Sequence, residues 1–181
     1  LGMHGSYEAN NAMHDCDLMI NIGARFDDRI TGKIDEFSPK SKKVHIDIDP
    51  SSINKNVKVD LPIVGDVTEV ITSTIKTIKK AKPNFAKSNK QQISKWWQQI
   101  QKWRSINSFD FVNSTETIKP QYAVQRLYEL TKNKDTYITT EVGQHQMWAA
   151  QHYKFDKPNR WMTSGGLCLL YTSPSPRDWL Q

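Results

Sequence analysis

Residues 17–33 read DLMINIGARFDDRITGK, and they carry the strongest indication of the fold in this sequence. It opens with an apolar run, Leu18 to Ile22, that ends at Gly23. Such a run, bounded by a turn signal, is typical of a strand buried in a parallel sheet. A turn at Gly23 lets the backbone approach a ligand closely, because glycine has no Cβ. The charged RFDDR segment that follows lies where open α/β sheets bind ligands, just past the carboxyl end of a strand. The alternative is a solvated loop whose charges pair with each other.

A second decisive stretch is VHIDIDP, residues 44–50. Apolar and polar residues alternate along it, which predicts a strand that is stopped by Pro50. Its carboxylates, Asp47 and Asp49, follow Gly23 by roughly 20–25 residues, the distance at which dinucleotide-binding folds place the carboxylate that holds a ribose hydroxyl. The segment contains no GxGxxG motif, so a standard Rossmann phosphate loop is not supported. The spacing nevertheless predicts a nucleotide-sized ligand.

A third strand is predicted over Leu61–Val64, and it ends at Gly65. Asp66 and Glu69 then form an acidic capping box for an amphipathic helix that runs to Ala81. A further helix is predicted over Ser6–His14, before the first strand. Helices alternating with short apolar strands favour an α/β layer fold.

The chain beyond residue 81 has a different composition. Residues 82–95 are rich in Lys, Asn and Gln and are predicted to be a linker, and a helix with a tryptophan stripe follows over residues 93–104. That stripe could stack on nucleic-acid bases, but its helical spacing is more typical of a packing face. Pro120 is placed to begin a helix that runs through Lys132, with a buried face made of Ala123, Val124, Leu127 and Leu130.

A β-rich run over residues 136–142 is followed by Gly143 and a helix start. A strand, a glycine turn and a helix N-terminus together make an anion site from free backbone N–H groups. Gln144 and His145 lie at its mouth and fit a phosphate partner, whereas His152 is predicted to be a surface or packing histidine.

The composition narrows the function classes. The chain has 181 residues and a formal net charge of +6, which raises nucleic acid as a partner. The excess charge lies mainly in residues 76–95 without a nucleic-acid-binding motif, so a solvated linker is the preferred interpretation. No apolar run approaches the ~20 residues of a membrane span. Position 1 is not Met, and we expect the chain to begin inside a longer protein.

Six strings occur in a fixed order: LGMHG, IGARFDDRITGK, VHIDIDP, GDV, TTEVGQHQMWAAQ and RWMTSGGL. Together they resemble the catalytic (large) subunit of acetolactate synthase, also called acetohydroxyacid synthase, a thiamine-diphosphate enzyme. The resemblance covers Leu1 to about Leu167. It implies an incomplete Rossmann-like central FAD-binding domain over 1–81, a linker with the Trp-rich helix over 82–118, and the start of an α/β thiamine-diphosphate-binding domain over 119–167. Residues 168–181 resemble translated adaptor sequence and are expected to be a non-native tail.

The resemblance also implies site residues, motif by motif. A substrate-facing pair would be Asp28 and Arg29. Thiamine diphosphate would be contacted by the VGQH segment, and FAD by residues of four separate strings. The thiamine-diphosphate set is Val142, Gly143, Gln144 and His145, and the FAD set is Gly2, Met3, His4, Gly23, Ala24, Arg25, Phe26, Asp27, Asp47, Ile48, Asp66 and Val67.

The function that the resemblance implies is that of a transferase. It condenses pyruvate with a second 2-oxo acid, pyruvate or 2-oxobutanoate, with loss of CO2, in valine and isoleucine biosynthesis. FAD in this family is regarded as structural. The intact enzyme would be a homodimer or tetramer in the bacterial cytoplasm, with a possible small regulatory subunit and no nucleic-acid or membrane partner.

Two required parts of such an enzyme have no counterpart in this sequence. The glutamate that activates the cofactor would lie upstream of Leu1, and the Mg2+ ligands of a GDG…N motif would lie downstream of Leu167. We therefore expect no catalytic and no metal-ligating residue in the chain, and no activity from the chain alone. The alternatives are another thiamine-diphosphate-dependent decarboxylase or carboligase, and a nucleotide-binding oxidoreductase domain. The absence of GxGxxG and the presence of two different cofactor loops stand against the oxidoreductase.

Overall fold

The structure is a computed structural model, and it describes residues 1–82, 84 and 88–165. The chain divides into two compact units, Leu1–Ser108 and Phe109–Gln181. A small parallel sheet lies in each of them, so the predicted α/β class is confirmed. The predicted tail at residues 168–181 lies outside the described residues. None of the helices described is both long and apolar enough to cross a membrane.

The sheet of the first unit has three parallel strands in the order β1-β2-β3. The register pairs Ile20 with Val44 and Ile46 with Ile63. All three predicted strands are confirmed, although β2 ends before the predicted stop because Pro50 begins a short 3-10 turn instead. The strands are β1 (Leu18–Ile22), β2 (Lys42–Asp47) and β3 (Leu61–Val64).

Four helices of the first unit are described. Ser6 caps the first of them, because its Oγ accepts a hydrogen bond from the N–H of Ala9 at 3.3 Å. The fourth begins at Lys90, so the predicted linker to residue 95 is too long. The helices are α1 (Tyr7–Asp15), α2 (Asp28–Thr31), α3 (Val67–Ala81) and α4 (Lys90–Arg104), and 3-10 turns cover Gly2–His4, Ile34–Glu36 and Pro50–Ser52.

The apolar core lies on one side of this sheet. Phe26, Phe37 and Val57 are its buried centre, and the two phenylalanine rings meet edge to face with 5.8 Å between their centroids. The ring of His45, on the central strand, is fully buried beside Phe26 with 5.2 Å between centroids. The core therefore joins the central strand to the RFDDR loop.

The prediction of a buried first strand is wrong for the chain as described. Leu18, Ile20 and Ile22 are 52%, 55% and 43% exposed, because β1 is an edge strand and its outer face is uncovered. The apolar face of α3 is open too, with Ile75 and Ile78 about half exposed. The periodicity identified the elements correctly, but burial depends on what packs against them.

The tryptophan stripe of α4 is partly a packing face. The rings of Trp96 and Trp103 meet edge to face at 5.8 Å, whereas Trp97 is 53% exposed. The helix lies against α1, and the guanidinium of Arg104 is 3.7 Å from the carboxylate of Glu8. In the described chain α4 is thus attached to the first unit.

The second unit, as far as it is described (residues 109–165), has two parallel strands and two helices. Its predicted strand is shorter than expected, and a second strand, β5, was not predicted. The predicted buried face of α5 is wrong, since Leu127 and Leu130 are 45% and 65% exposed. Instead Thr131 shares a 2.8 Å hydrogen bond with the hydroxyl of Tyr153, because α5 packs on the loop after α6 through its polar and aromatic side. The elements are α5 (Pro120–Thr131), β4 (Ile138–Thr140), α6 (Gln144–His152) and β5 (Trp161–Thr163).

Candidate functional site

The carboxyl ends of the three strands of the first unit meet at one edge. The N–H of Gly23 donates to the carbonyl of Ile46 at 2.8 Å, and the N–H of Gly65 donates to the carbonyl of Asp47 at 3.0 Å. The predicted ends of the strands therefore lie side by side. This arrangement is the one in which open α/β sheets bind ligands.

The turn after β1 needs glycine for its backbone conformation. Gly23 has φ +61°, and a Cβ built on it would meet no atom within 4 Å. The reason for glycine is therefore the left-handed φ, and the space in front of the backbone is open. The turn is held by Asn21, whose side-chain amide donates to the carbonyl of Ala24.

Two of the predicted strings touch each other directly. Gly2 has φ +75°, and a Cβ on it would lie 2.3 Å from the carbonyl oxygen of Arg29 and 2.9 Å from Cα of Ile30. The side chain of Asn10 clamps Gly2, since it accepts from the N–H and donates to the carbonyl, both at 2.8 Å. The LGMH turn thus lies against the backbone of α2 at a distance only glycine permits.

Two neighbouring cavities flank this contact. One of about 530 Å³ is lined by Gly2, Met3, Asp28 and Arg29, together with polar side chains of α1. The other, of about 480 Å³, is lined by Ala24, Arg25 and Phe26 and by apolar residues along β1. Both share walls made of Met13, Ile30 and Phe37. Five of the predicted FAD residues of the first two strings therefore line this pair of adjoining cavities, whereas His4, Gly23 and Asp27 do not; the five are Gly2, Met3, Ala24, Arg25 and Phe26. His4 is exposed in the same 3-10 turn.

The charged loop pairs internally, as the alternative interpretation expected. The guanidinium of Arg25 is 3.6 Å from the carboxylate of Asp27, and that of Arg29 is 3.8 Å from the carboxylate of Asp28. Asp28 and Arg29 remain 80% and 70% exposed, so this pairing leaves both open to solvent. The segment is not all loop, because α2 begins at Asp28.

Asp27 carries the most unusual atom of the loop. Its backbone carbonyl accepts from the N–H groups of Ile30 and Thr31 at 3.0 Å, but its side chain does not cap α2. In the described part of the chain, its buried Oδ1 has no hydrogen-bond partner. A buried carboxylate oxygen without a donor is costly, so a bound group that supplies a hydroxyl or N–H would fit there.

The other two carboxylates at the carboxyl ends of the strands, those of Asp47 and Asp66, accept hydrogen bonds from nearby backbone N–H groups. Asp47 accepts from the N–H of Asp49 at 2.9 Å, and its second oxygen is 3.7 Å from Nε2 of the buried His45. Asp66 caps α3 as predicted, accepting from the N–H groups of Thr68 at 2.8 Å and of Glu69 at 3.2 Å.

The residues next to these two carboxylates are open. Ile48 is 72% exposed and Val67 is 41% exposed. The strand edge therefore presents apolar side chains beside its carboxylates.

The predicted anion site of the second unit has the expected backbone. Gly143 is the N-cap of α6, and a Cβ on it would lie 3.0 Å from the ring of His145. The first N–H groups of a helix have no acceptor within the helix. Gln144 and His145 are exposed there, while the N–H of Val142 is 3.3 Å from the side-chain carboxylate of Glu141. The site thus brings the four predicted residues together, with one acidic neighbour.

Another cavity, of about 210 Å³, lies at the opposite, amino-terminal end of β4. Asp135 bridges its walls, accepting from Arg160 at 2.9 and 3.1 Å and from Lys157 at 3.3 Å. These hydrogen bonds lower the pKa of the Asp135 carboxyl, first through Arg160 and then through Lys157. None of the predicted site residues lines this cavity, and its charged side chains Asp135, Lys157 and Arg160 form ion pairs with one another.

Sequence reasoning missed the two asparagines that hold the site. Asn10 and Asn21 act through contacts with Gly2 and Ala24, and the only sequence signal was a polar residue inside the apolar first strand. The described residues contain no group of three or more His, Cys, Asp or Glu side chains arranged for a metal ion. Mg2+ ligands were expected downstream of the break at Leu167 and not in the chain itself, and residues 166–181 lie outside the described residues.

Two family profiles match the chain. The profile described as thiamine pyrophosphate enzyme, central domain, matches residues 1–74, and the one described as thiamine pyrophosphate enzyme, C-terminal TPP binding domain, matches residues 141–172. These two segments therefore match two domains of the thiamine pyrophosphate (thiamine diphosphate) enzymes.

Individual relatives narrow this class. The chain is 47% identical over 167 residues to the acetolactate synthase large subunit of Buchnera aphidicola subsp. Schizaphis graminum, covering 92% of the chain and 28% of the relative. It is 46% identical, with the same coverage, to the acetolactate synthase isozyme 3 large subunit of Escherichia coli K12. It is 45% identical to the acetolactate synthase large subunit of Porphyra purpurea, and the alignment covers 92% of the chain and 27% of that relative. The chain is a homologue of acetolactate synthase large subunits and spans about 28% of their length.

The far end of α6 is anchored by a buried histidine. His152 is 8% exposed, and its ring faces Phe109 and Phe111 with 6.2 and 5.7 Å between centroids. Its prediction as a packing histidine is confirmed. Burial lowers the pKa of His152 below its ordinary value of 6.5, because the apolar surroundings disfavour the charged ring.

We expect acidification to weaken this anchor. The neutral ring stabilises the fold fully above pH 6.5, and that stability is lost as the pH falls through the lowered pKa, by at most about 1.4 kcal/mol per pH unit for one proton. Unfolding measured between neutral pH and pH 5 should be less pH-dependent in His152→Gln than in the wild type. An NMR titration that places the His152 pKa at or above 6.5 would contradict the assignment.

Proposed function

We propose that the chain forms part of the catalytic (large) subunit of an acetolactate synthase, which condenses pyruvate with a second 2-oxo acid, pyruvate or 2-oxobutanoate, and releases CO2. The observation that carries this proposal is the identity of 46–47% to named acetolactate synthase large subunits across 92% of the chain. The alignment spans both the segment proposed to bind FAD and the segment proposed to bind thiamine diphosphate. It therefore favours an acetolactate synthase over another thiamine-diphosphate carboligase.

The second unit is proposed to hold thiamine diphosphate at Val142–His145. When bound, that cofactor supplies the decarboxylation and carbon–carbon bond formation. The chain supplies the N-terminus of α6, whose free N–H groups and positive dipole end favour a diphosphate. Gly143 keeps the space beside His145 free, since a Cβ would lie 3.0 Å from that ring. Mg2+ is part of the same proposal, with its ligands outside the described residues.

The first unit is proposed to be the Rossmann-like domain that binds FAD in a structural role. The fit is supported by the pair of cavities of about 530 and 480 Å³ and by the unpartnered Oδ1 of Asp27. The dinucleotide would extend from these cavities along the strand edge, where Asp47 could hold a ribose hydroxyl. Asp66 already caps α3 through its side chain, and it would contact FAD through the lone pairs that the cap leaves free. Val67, the next residue, would make a separate contact.

Asp28 and Arg29 are proposed to face the substrate. They line the cavity of about 530 Å³ and are 80% and 70% exposed, so the guanidinium is available to the carboxylate of a 2-oxo acid. Asp28, 3.8 Å away, would orient the guanidinium by its charge.

The names of the relatives support one further part of the proposal, because a large subunit implies a small regulatory partner. The proposed assembly, a homodimer or tetramer in the bacterial cytoplasm, follows from the family resemblance alone.

The activity is tested with the full-length protein that contains this chain. We expect acetolactate from pyruvate in the presence of thiamine diphosphate, Mg2+ and FAD. In Arg29→Ala, the loss of a charged hydrogen bond should cost about 1.5–3 kcal/mol, seen as a lower kcat/KM, while bound flavin is retained. Lys33→Ala, on the adjoining turn, is the matched control. A wild type without acetolactate formation would reject the function, and an Arg29→Ala enzyme with normal kcat/KM would reject this role for the arginine.

Flavin binding is tested at Asp47. Removing the carboxylate in Asp47→Ala should weaken FAD binding by about 1.5–3 kcal/mol, because a charged acceptor for a ribose hydroxyl is lost, and should also lower the stability of the first unit. Flavin per subunit, measured by fluorescence after denaturation across a series of FAD concentrations, gives the affinity. Asp35→Ala removes an exposed carboxylate elsewhere and should leave it unchanged. Equal flavin affinity in Asp47→Ala and wild type would count against the ribose contact.

A further inference from the structure

Gln146 lies in the first turn of α6 and reaches back to the end of β5. Its side-chain Nε2 donates to Oγ1 of Thr163 at 2.6 Å and to the carbonyl of Ser164 at 3.1 Å. Both N–H groups of one amide are therefore directed at two consecutive residues. Thr163 is the last residue of β5, and Ser164 begins the segment that follows the strand.

The contact continues into the neighbouring strand. Oγ1 of Thr163 also accepts from the hydroxyl of Thr140 at 2.8 Å, and that hydroxyl accepts from the indole N–H of Trp161 at 3.1 Å. The N–H of Ser164 donates to the carbonyl of Thr140 at 3.0 Å. The ends of β4 and β5 and the start of α6 are thus joined by one directional network.

The network lies at the edge of the sheet where the segments that follow β4 and β5 begin. β4 and β5 are parallel, so the segments that follow them leave the sheet at the same edge. The segment after β4 is the anion site at Val142–His145, and the segment after β5 is Ser164–Gly165. Gln146 is the side chain that bonds the helix of the first segment to the backbone of the second.

We propose that Gln146 is a positioning residue, which holds the Ser164–Gly165 backbone beside the anion site so that both segments meet the diphosphate of the cofactor in a fixed geometry. This inference rests on the proposed thiamine-diphosphate function. In this proposal Gln146 acts through the loop that it bonds to, and not by contact with the diphosphate or the reacting atoms.

The chemistry of the amide explains why glutamine suits this position. Methionine has nearly the same length but cannot donate, and ionised glutamate can only accept. A glutamate would therefore leave the Ser164 carbonyl without its donor and place a negative charge at the anion site. We therefore expect Gln146→Glu to raise the half-saturating concentration of thiamine diphosphate more than Gln146→Met does.

Loss of positioning should affect binding before chemistry. In the free enzyme the unheld loop samples other conformations, and the cofactor must order it again on binding. The half-saturating concentration of thiamine diphosphate should rise about tenfold in Gln146→Met, whereas kcat at saturating cofactor should stay within about twofold of wild type.

The experiment uses the full-length protein, with thiamine diphosphate titrated at fixed Mg2+ and saturating pyruvate. Gln125→Met, an exposed glutamine of α5, is the matched control for the amide-to-thioether change. Thr163→Val removes one acceptor of the network and should raise the half-saturating concentration about threefold. In the double variant with Gln146→Met, the increase should be smaller than the product of the two single increases, because the two residues share one hydrogen bond. Thermal unfolding of the cofactor-free proteins should match the control within about 2 °C.

The outcomes separate the two claims. A wild type that neither binds nor uses thiamine diphosphate overturns the proposed function and this inference with it. A wild type that does both, with Gln146→Met at the same half-saturating concentration, overturns the positioning role alone. If Gln146→Met fails to fold, Thr163→Val decides, and unchanged half-saturation in that variant overturns the role. A fall in kcat and thermal stability without a change in half-saturation also overturns it, because that pattern indicates a purely structural bond.

Discussion

The close approach of Gly2 to the backbone of Arg29 is the contact on which the first unit depends. A Cβ at Gly2 would lie 2.3 Å from the Arg29 carbonyl oxygen and 2.9 Å from the backbone of Ile30, so no side chain can take its place without moving α2. Asn10 holds the glycine there with two hydrogen bonds. The contact ties the N-terminal turn and α1 to the charged loop, and the cavity of about 530 Å³ forms around it.

The parallel register supplies the second half of the site. It places the residues that follow β1, β2 and β3 at one edge, where Gly23 and Gly65 bond to the carbonyls of the central strand. The carboxylates of this edge are not equivalent. Asp66 is occupied by the N-terminus of α3 and Asp47 by the N–H of Asp49, whereas Oδ1 of Asp27 is buried without a donor. This difference makes Asp27 the carboxylate best prepared for a bound hydroxyl or N–H group.

The second unit reaches a similar result with fewer elements. Two short parallel strands place a glycine-started helix and the Ser164–Gly165 segment at one edge, and the side chain of Gln146 fixes the distance between them. In the first unit Asn21 of β1 holds the turn that leaves its own strand, and in the second unit Gln146 of α6 holds the backbone that leaves β5. The amides are suited to this because each can donate and accept without adding charge near an anionic cofactor.

Local features were readable from the sequence, and tertiary ones were not. The three strands, the helix from Val67 to Ala81 and its Asp66 cap follow from periodicity and capping chemistry, which involve residues close in sequence. The exposure of Leu18 and Ile20 could not be predicted, because it depends on which elements cover β1. The short strand β5 lacks any alternation that could be recognised in its length.

The site residues divide in the same way. The charged and glycine-containing strings indicated a ligand edge. The clamp made by Asn10 and the bridge made by Gln146 instead join separate elements, across 8 and 18 residues of sequence. No local pattern distinguishes such an asparagine or glutamine from a solvated one. These residues become visible only when the fold brings their partners together.

The most direct test of this account is the flavin affinity of Gly2→Ala in the full-length protein, compared with Gly32→Ala. Both glycines have a left-handed φ, +75° and +57°, but a Cβ on Gly32 would meet no atom within 4 Å. Both variants place an alanine at a positive φ, and only Gly2→Ala pushes the N-terminal turn away from α2. The account predicts that FAD binding weakens by about tenfold or more, some 1.4 kcal/mol, in Gly2→Ala relative to Gly32→Ala. Equal FAD affinity in the two variants would contradict it.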